Sequence, residues 1–186
     1  MRREVLEEVG GFDETIRRGE DWELNLRIRQ AGHTVWFDPQ LAVTYWPRES
    51  WVRLARQFRA TGTWRGELVR RYGRQNGWRF FAPPALVIAV VLAIVAGVLH
   101  AIGALPGAWA LVAWVCYLPM IAYALLVLGI SLAPQPRRGL RERLWTLLAM
   151  PTMHLAWGTG FLIGLVRGAQ DTVDASRLRG RNTPLP

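Results

Sequence analysis

The sequence predicts a small α/β domain followed by an α-helical membrane region. Three observations carry that expectation. Residues 1–49 alternate helix-like and strand-like stretches of mixed polarity. Hydrophobic residues make up 51% of the 186 and concentrate after Phe81. The 23 basic residues are all arginine, give a net charge of +9, and gather beside the apolar segments. The absence of lysine is explained by an arginine-favouring composition alone. The placement is more telling, because a guanidinium next to an apolar segment meets lipid phosphate bidentately. Membrane lipids are therefore the expected partner. Nucleic acid is not, since no reader motif is visible.

Each element follows from local pattern. Arg2 to Val9 reads as the end of a helix stopped by Gly10 and Gly11. Residues 12–19 form a loop. Glu20 to Ala31 reads as a helix with Leu24, Ile28 and Ala31 on one face, and Gly32 ends it. Thr34 to Phe37 and Leu41 to Trp46 are rich in β-branched and aromatic residues and read as short strands. Asp38-Pro39 between them is turn chemistry. Ser50 is placed to cap a helix running to about Tyr72, with Gly62 as a candidate bend. Trp51, Leu54, Ala55, Phe58, Leu68, Val69 and Tyr72 lie among six arginines, the pattern of an amphipathic helix in a bilayer interface. A soluble helix with a solvated basic face has the same pattern. The lone cysteine, Cys116, lies in an apolar run and reads as a small hydrophobe.

Three apolar segments follow. Ala82–Ile102 and Ala108–Ala133 hold no charged residue and are long enough to span a bilayer. Leu144–Val166 contains Pro151, His154 and three glycines, so it spans, kinks or re-enters. The domain plan is thus 1–49, 50–81 with the amphipathic helix, 82–166 with two or three membrane helices, and 167–186, a polar tail expected to be disordered. Arginine in the short loops orients the chain. Arg70, Arg71, Arg74 and Arg79 precede the first segment, and Arg137, Arg138, Arg141 and Arg143 precede the third. The 103–107 loop has none. A cytoplasmic N-terminal domain in a multi-pass cell-membrane protein is the expected localisation. Three spans put the tail outside, yet it carries Arg167, Arg177, Arg179 and Arg181. The sequence leaves that conflict open.

The residues suited to chemistry are Glu20 and Asp21, at a loop-to-helix junction where partial positive charge stabilises carboxylates. Helix capping explains such a pair without catalysis, and so does a general base held ionised. The run Gly10-Gly11-Phe12-Asp13-Glu14, then Gly19-Glu20-Asp21, Leu24-x-Leu26-Arg27, Ala31-Gly32 and Asp38-Pro39 resembles the second half of the catalytic domain of family 2 glycosyltransferases. The likeness covers about residues 1–46. The arginine-rich helix and apolar segments resemble the membrane-bound, succinoglycan-type exopolysaccharide branch.

That resemblance implies the α/β part of a nucleotide-diphospho-sugar transferase domain. It implies Asp21 as the catalytic base of an inverting transfer to a hydroxyl of a lipid-linked or polysaccharide acceptor, with Glu20 as its positioning neighbour. Trp22 then stacks on an acceptor sugar, or else is core. Processive relatives carry Gln-x-x-Arg-Trp. Here Arg56-Gln57-Phe58-Arg59 and Thr63-Trp64-Arg65 stand apart, so a long-chain synthase is not implied. Arg56, Arg59 and Arg65 suit a diphosphate or lipid phosphate. His33 reads as a surface residue and His154 as a packing or functional group within a membrane segment. The family's Asp-x-Asp metal motif is absent, and no metal ligand set is expected in this chain. A divalent Mg or Mn is expected only with an N-terminal, nucleotide-binding half, which a longer gene product or a partner chain supplies. The rival reading is a non-catalytic membrane anchor or assembly subunit derived from such an enzyme.

Overall fold

The computed structural model describes residues 2–44, 50–73, 77–133 and 139–170. Among the described residues six α-helices run in order: α1 (Arg3–Glu8), α2 (Glu20–Gln30), α3 (Trp51–Tyr72), α4 (Ala82–Ala101), α5 (Ala108–Leu132) and α6 (Leu140–Arg167). A 3₁₀ turn, Trp78–Phe81, leads into α4. The sequence signals explain these limits. Gly10 and Gly11 take left-handed φ values of 80° and 73° after α1, and Gly32 takes 85° after α2. The Ser50 hydroxyl accepts a hydrogen bond from the Arg53 amide at 3.3 Å and starts α3. Glu142 accepts from the Gly139 amide at 2.9 Å and starts α6.

The α/β expectation is wrong. No strand occurs among the described residues, so they form no α/β nucleotide-diphospho-sugar transferase domain. Thr34–Phe37 and Leu41–Thr44 are irregular, and Tyr45 and Trp46 lie outside the described residues. The physical reason is a missing neighbour. Strand propensity records how well a side chain fits a half-buried pleated surface, and a lone strand pair has no such surface to rest on. Trp36 stays 86% exposed and Val43 94% exposed.

Gly62 does not bend α3, which continues through it. The glycine instead permits a close helix crossing. α3 and α6 run parallel along their whole length, from Trp51 against Trp145, with ring centroids 5.5 Å apart, to Arg70 against Gly168. Gly62 and Gly66 on α3 face Trp157 and Phe161 on α6, while Gly160 and Gly164 face Arg59 and Thr63. A Cβ added at Gly164 would lie 2.7 Å from the Thr63 carbonyl carbon, and one at Gly66 would lie 2.7 Å from the Leu165 nitrogen. Two Gly-x-x-x-Gly stripes thus let the backbones touch, the device that replaces hydrophobic drive between membrane helices.

α4, α5 and α6 are long and apolar enough to cross a membrane, α6 being the least apolar. α4 and α5 pack on one another, as where Tyr117 of α5 approaches Gly97 of α4. Most of their large side chains, among them Leu92, Ile94, Leu111 and Leu125, remain exposed, as lipid contact requires. α6 meets α4 through its first turns, where Gly158 packs on Pro83 and Val87. It meets α5 through Tyr123, whose hydroxyl is 2.9 Å from His154 Nδ1. An apolar cleft of about 460 Å³ lies between Val90, Val127, Pro151 and their neighbours. Cys116 is a free, half-buried thiol in α5. The 171–186 tail lies outside the described residues.

Candidate functional site

The site is an acidic loop and helix start fastened to the C-terminal end of α3. Ile16 from the loop, Trp64 and Leu68 from α3, and Ala169 from just beyond α6 form one buried cluster, with Trp22 and Tyr72 packed against it. Gly19 holds a left-handed φ of 77° and turns the chain into α2. The first turn of α2 then presents Glu20, Asp21 and Glu23 where unpaired backbone N–H groups favour negative charge.

These three acids meet different fates. Asp21 is exposed, and one carboxylate oxygen accepts from the Trp22 amide at 2.8 Å. Glu20 is half-buried. Glu23 is fully buried and makes the ion pair that anchors the loop. Arg27 reaches it at 2.6 Å and 2.8 Å, and the Tyr72 hydroxyl donates to it at 2.7 Å. Arg27 also donates to the Val9 carbonyl and, at 2.7 Å, to the Gly11 carbonyl, so the double-glycine turn hangs on the same guanidinium. Burial alone would raise the Glu23 carboxyl, but hydrogen bonds from Arg27 and Tyr72 outweigh it and hold the group below its usual range. Tyr72 is pushed up to about 12, by burial and then by the adjacent Glu23 charge.

A second buried carboxylate, Glu67 on α3, fastens the other side. Arg70 pairs with it at 2.9 Å and Arg71 at 2.6 Å. Arg71 continues to Asp13 at 3.4 Å and to the Thr15 hydroxyl at 3.2 Å. Asp13 closes its own turn by accepting from the Thr15 amide at 2.8 Å and hydroxyl at 2.7 Å. The Thr15 hydroxyl is the main reason its carboxyl titrates lower than usual, with Arg71 adding to the effect.

Arg65 is the one predicted phosphate-binding residue that the structure brings to the acidic helix. Its guanidinium lies 4.3 Å from the Trp22 ring centroid and 4.3 Å from that of Phe80. Its Nη1 is buried with no hydrogen-bond partner among the described residues. Burial lowers its pKa to about 10, the Asp21 charge opposes that, and Arg79 adds to it. Trp22 therefore gives a ring face to Arg65. Arg56 and Arg59 lie a turn or more earlier on α3, with their side chains exposed. His33 is at the surface, 2.8 Å from Glu8. No cluster of metal-ligating side chains occurs among the described residues.

The sequence reading missed Glu23, Glu67 and Tyr72 as a framework. A signal was there: glutamate four residues before Arg27 and four before Arg71 is ion-pair spacing on a helix.

Helices suited to a bilayer, joined to a buttressed acidic helix start, define a membrane-type helical chain with a polar site at its edge. Among curated proteins, the chain is similar to the succinoglycan biosynthesis protein ExoA of Rhizobium meliloti (strain 1021), at 31% identity over 163 residues. That match covers 87% of this chain and 44% of the relative, so the chain spans less than half the relative's length. No family model matches the chain, and no solved structure does.

Proposed function

We propose that this chain is the membrane-proximal part of an inverting, family 2-type glycosyltransferase of exopolysaccharide biosynthesis, in the succinoglycan-type branch. The observation that carries the reading is the exposed Asp21 at a helix start, whose charge is felt by the half-buried Arg65, with Nη1 of that arginine finding no hydrogen-bond partner among the described residues. The similarity to a succinoglycan biosynthesis protein supports the same conclusion.

Asp21 takes the proton from an acceptor hydroxyl. The freed oxygen lone pair attacks the anomeric carbon, and the bond from that carbon to the nucleoside diphosphate breaks with inversion. Arg65 offers its unused N–H to the departing diphosphate, a charge-assisted bond. Glu20 and Trp22 border the acceptor. The N-terminal side of the chain faces the cytoplasm, where nucleotide sugars are made, and α4 and α5 cross the membrane. Donor binding and its divalent metal belong to sequence beyond this chain.

The test is transfer from radiolabelled nucleotide sugars in membranes. Residues 1–186 fused behind the N-terminal portion of the Rhizobium relative should transfer sugar, and the unfused chain should not. In the fusion, Asp21→Asn should lower the rate about 10²–10⁴-fold, the usual contribution of a general base, while donor binding persists. Glu20→Gln should cost less. Parent-rate turnover by the Asp21→Asn fusion would reduce the acidic pair to a helix cap. A folded, membrane-inserted fusion with no transfer at all would favour an anchor or assembly subunit.

A further inference from the structure

We propose that α3 and α6 form a single glycine-seamed plate lying along the cytoplasmic membrane surface, so that the chain crosses the bilayer twice and its tail returns to the side of the acidic loop. The proposal rests on the reading that α4 and α5 span. It differs from what length and apolarity alone suggest, which is a third crossing by α6.

The argument begins with contact. α3 follows α6 from Trp145 to Gly168, and the Gly62, Gly66, Gly160 and Gly164 backbones leave no space for lipid between them. Wherever α6 goes, α3 goes. α3 carries Arg53, Arg56, Arg59, Arg65, Arg70 and Arg71 with the buried Glu67, and is not apolar enough to span a bilayer. Arg59 sits beside Gly160, well inside α6, with its side chain exposed. A crossing α6 would carry exposed Arg56 and Arg59 into hydrocarbon, which charged side chains avoid unless paired or facing water. A helix pair with Trp51, Val52, Leu144 and Leu148 exposed among those arginines suits the headgroup boundary instead. Trp51 and Trp145, tilted against each other at one end, are residues that prefer that depth.

The contacts with the hairpin agree. α6 touches α4 at Pro83 and Val87, just inside its start, and touches α5 in its second half, at Tyr123. The α4 contact lies at the end where the hairpin enters the membrane, and Tyr123 lies nine residues before the α5 exit. The tail arginines then cease to be anomalous. With two crossings, Arg167, Arg177, Arg179 and Arg181 lie on the same side as Arg70 and Arg71, as the positive-inside tendency favours.

Single cysteines placed in the full chain, in a Cys116→Ser background, test this with a membrane-impermeant thiol reagent on intact and permeabilised cells. Ala104→Cys should label in intact cells. Glu14→Cys, Arg59→Cys and Ser176→Cys should label only after permeabilisation. Labelling of Ser176→Cys from outside, together with Ala104→Cys, would overturn the plate and establish a third crossing. Protection of Arg59→Cys even after permeabilisation would overturn it by burying α3 in lipid. If Ala104→Cys labels on the same side as Glu14→Cys, the spanning hairpin itself is wrong, and the plate falls with it.

Discussion

At the scale of single residues, the acidic loop is governed by buried carboxylates that touch no substrate. Glu23 and Glu67 are each fully buried and each answered by arginine, the condition under which a buried charge is tolerated. Removing one partner strands the other, so Glu23→Gln should destabilise the fold by about 1–3 kcal/mol, discounted from the fully buried case because Arg27 is partly exposed. The pH dependence follows from the direction of each shift. Asp13, Glu23 and Glu67 all titrate below their ordinary values of 3.8, 4.5 and 4.5. Their contribution is therefore present above about pH 4.5 and lost as acid drives them through the lowered values. Tyr72 runs the opposite way. Its pKa is raised from 10.0 to about 12, so its contribution is complete below pH 10 and lost as pH rises through 12. Thermal unfolding in detergent should show both limbs, and Tyr72→Phe should flatten the alkaline one and weaken the Glu23 part of the acid one, leaving the Asp13 and Glu67 parts in place.

At the scale of elements, what was legible depended on whether a signal was local. The caps of α3, the glycine stops of α1 and α2 and the limits of α4 and α5 are written in adjacent residues, and they appear where the pattern puts them. Thr34–Phe37 and Leu41–Thr44 carry strand-like side chains, yet a strand is completed only by a neighbour, which local pattern does not report. Gly62 failed as a bend for the same reason. Its role is set by Trp157, far along the chain. That role gives a sharp comparison. Gly62→Ala and Gly164→Ala place a Cβ within 3 Å of opposing backbone, so each should lower stability by about 1–3 kcal/mol, the usual penalty of overpacking. Gly129→Ala on α5 meets nothing within 4 Å and should be neutral or gain up to about 1 kcal/mol from helix propensity. Unfolding midpoints of the three variants in one detergent decide the matter. Asp21 is an expectation of the sequence that folding leaves exposed at the start of α2, whereas Arg65 became distinct from Arg56 and Arg59, against the Trp22 ring, only when the chain was folded.

At the scale of the whole molecule, the charge distribution predicts a preference for lipid. Exposed Arg53, Arg56 and Arg59 face outward from α3. Each should contribute about 1 kcal/mol at an anionic surface, so the protein should unfold at higher temperature in anionic than in zwitterionic bilayers. Added salt should shrink the difference, and Arg→Gln at the three positions should abolish it. The parallel course of α3 and α6 has a consequence for biosynthesis. Trp157 emerges from the ribosome about 95 residues after Gly62, roughly 5–20 seconds later at ordinary synthesis rates. Through that interval the glycine seam of α3 is open, and Ala169, which completes the core under the acidic loop, does not yet exist. The two apolar helices between them, α4 and α5, are made first. The cluster of Ile16, Trp64 and Leu68 under the acidic loop is thus completed only once α6 has been made, and a chain that stalls before α6 carries the acidic residues without the packing that fastens their loop.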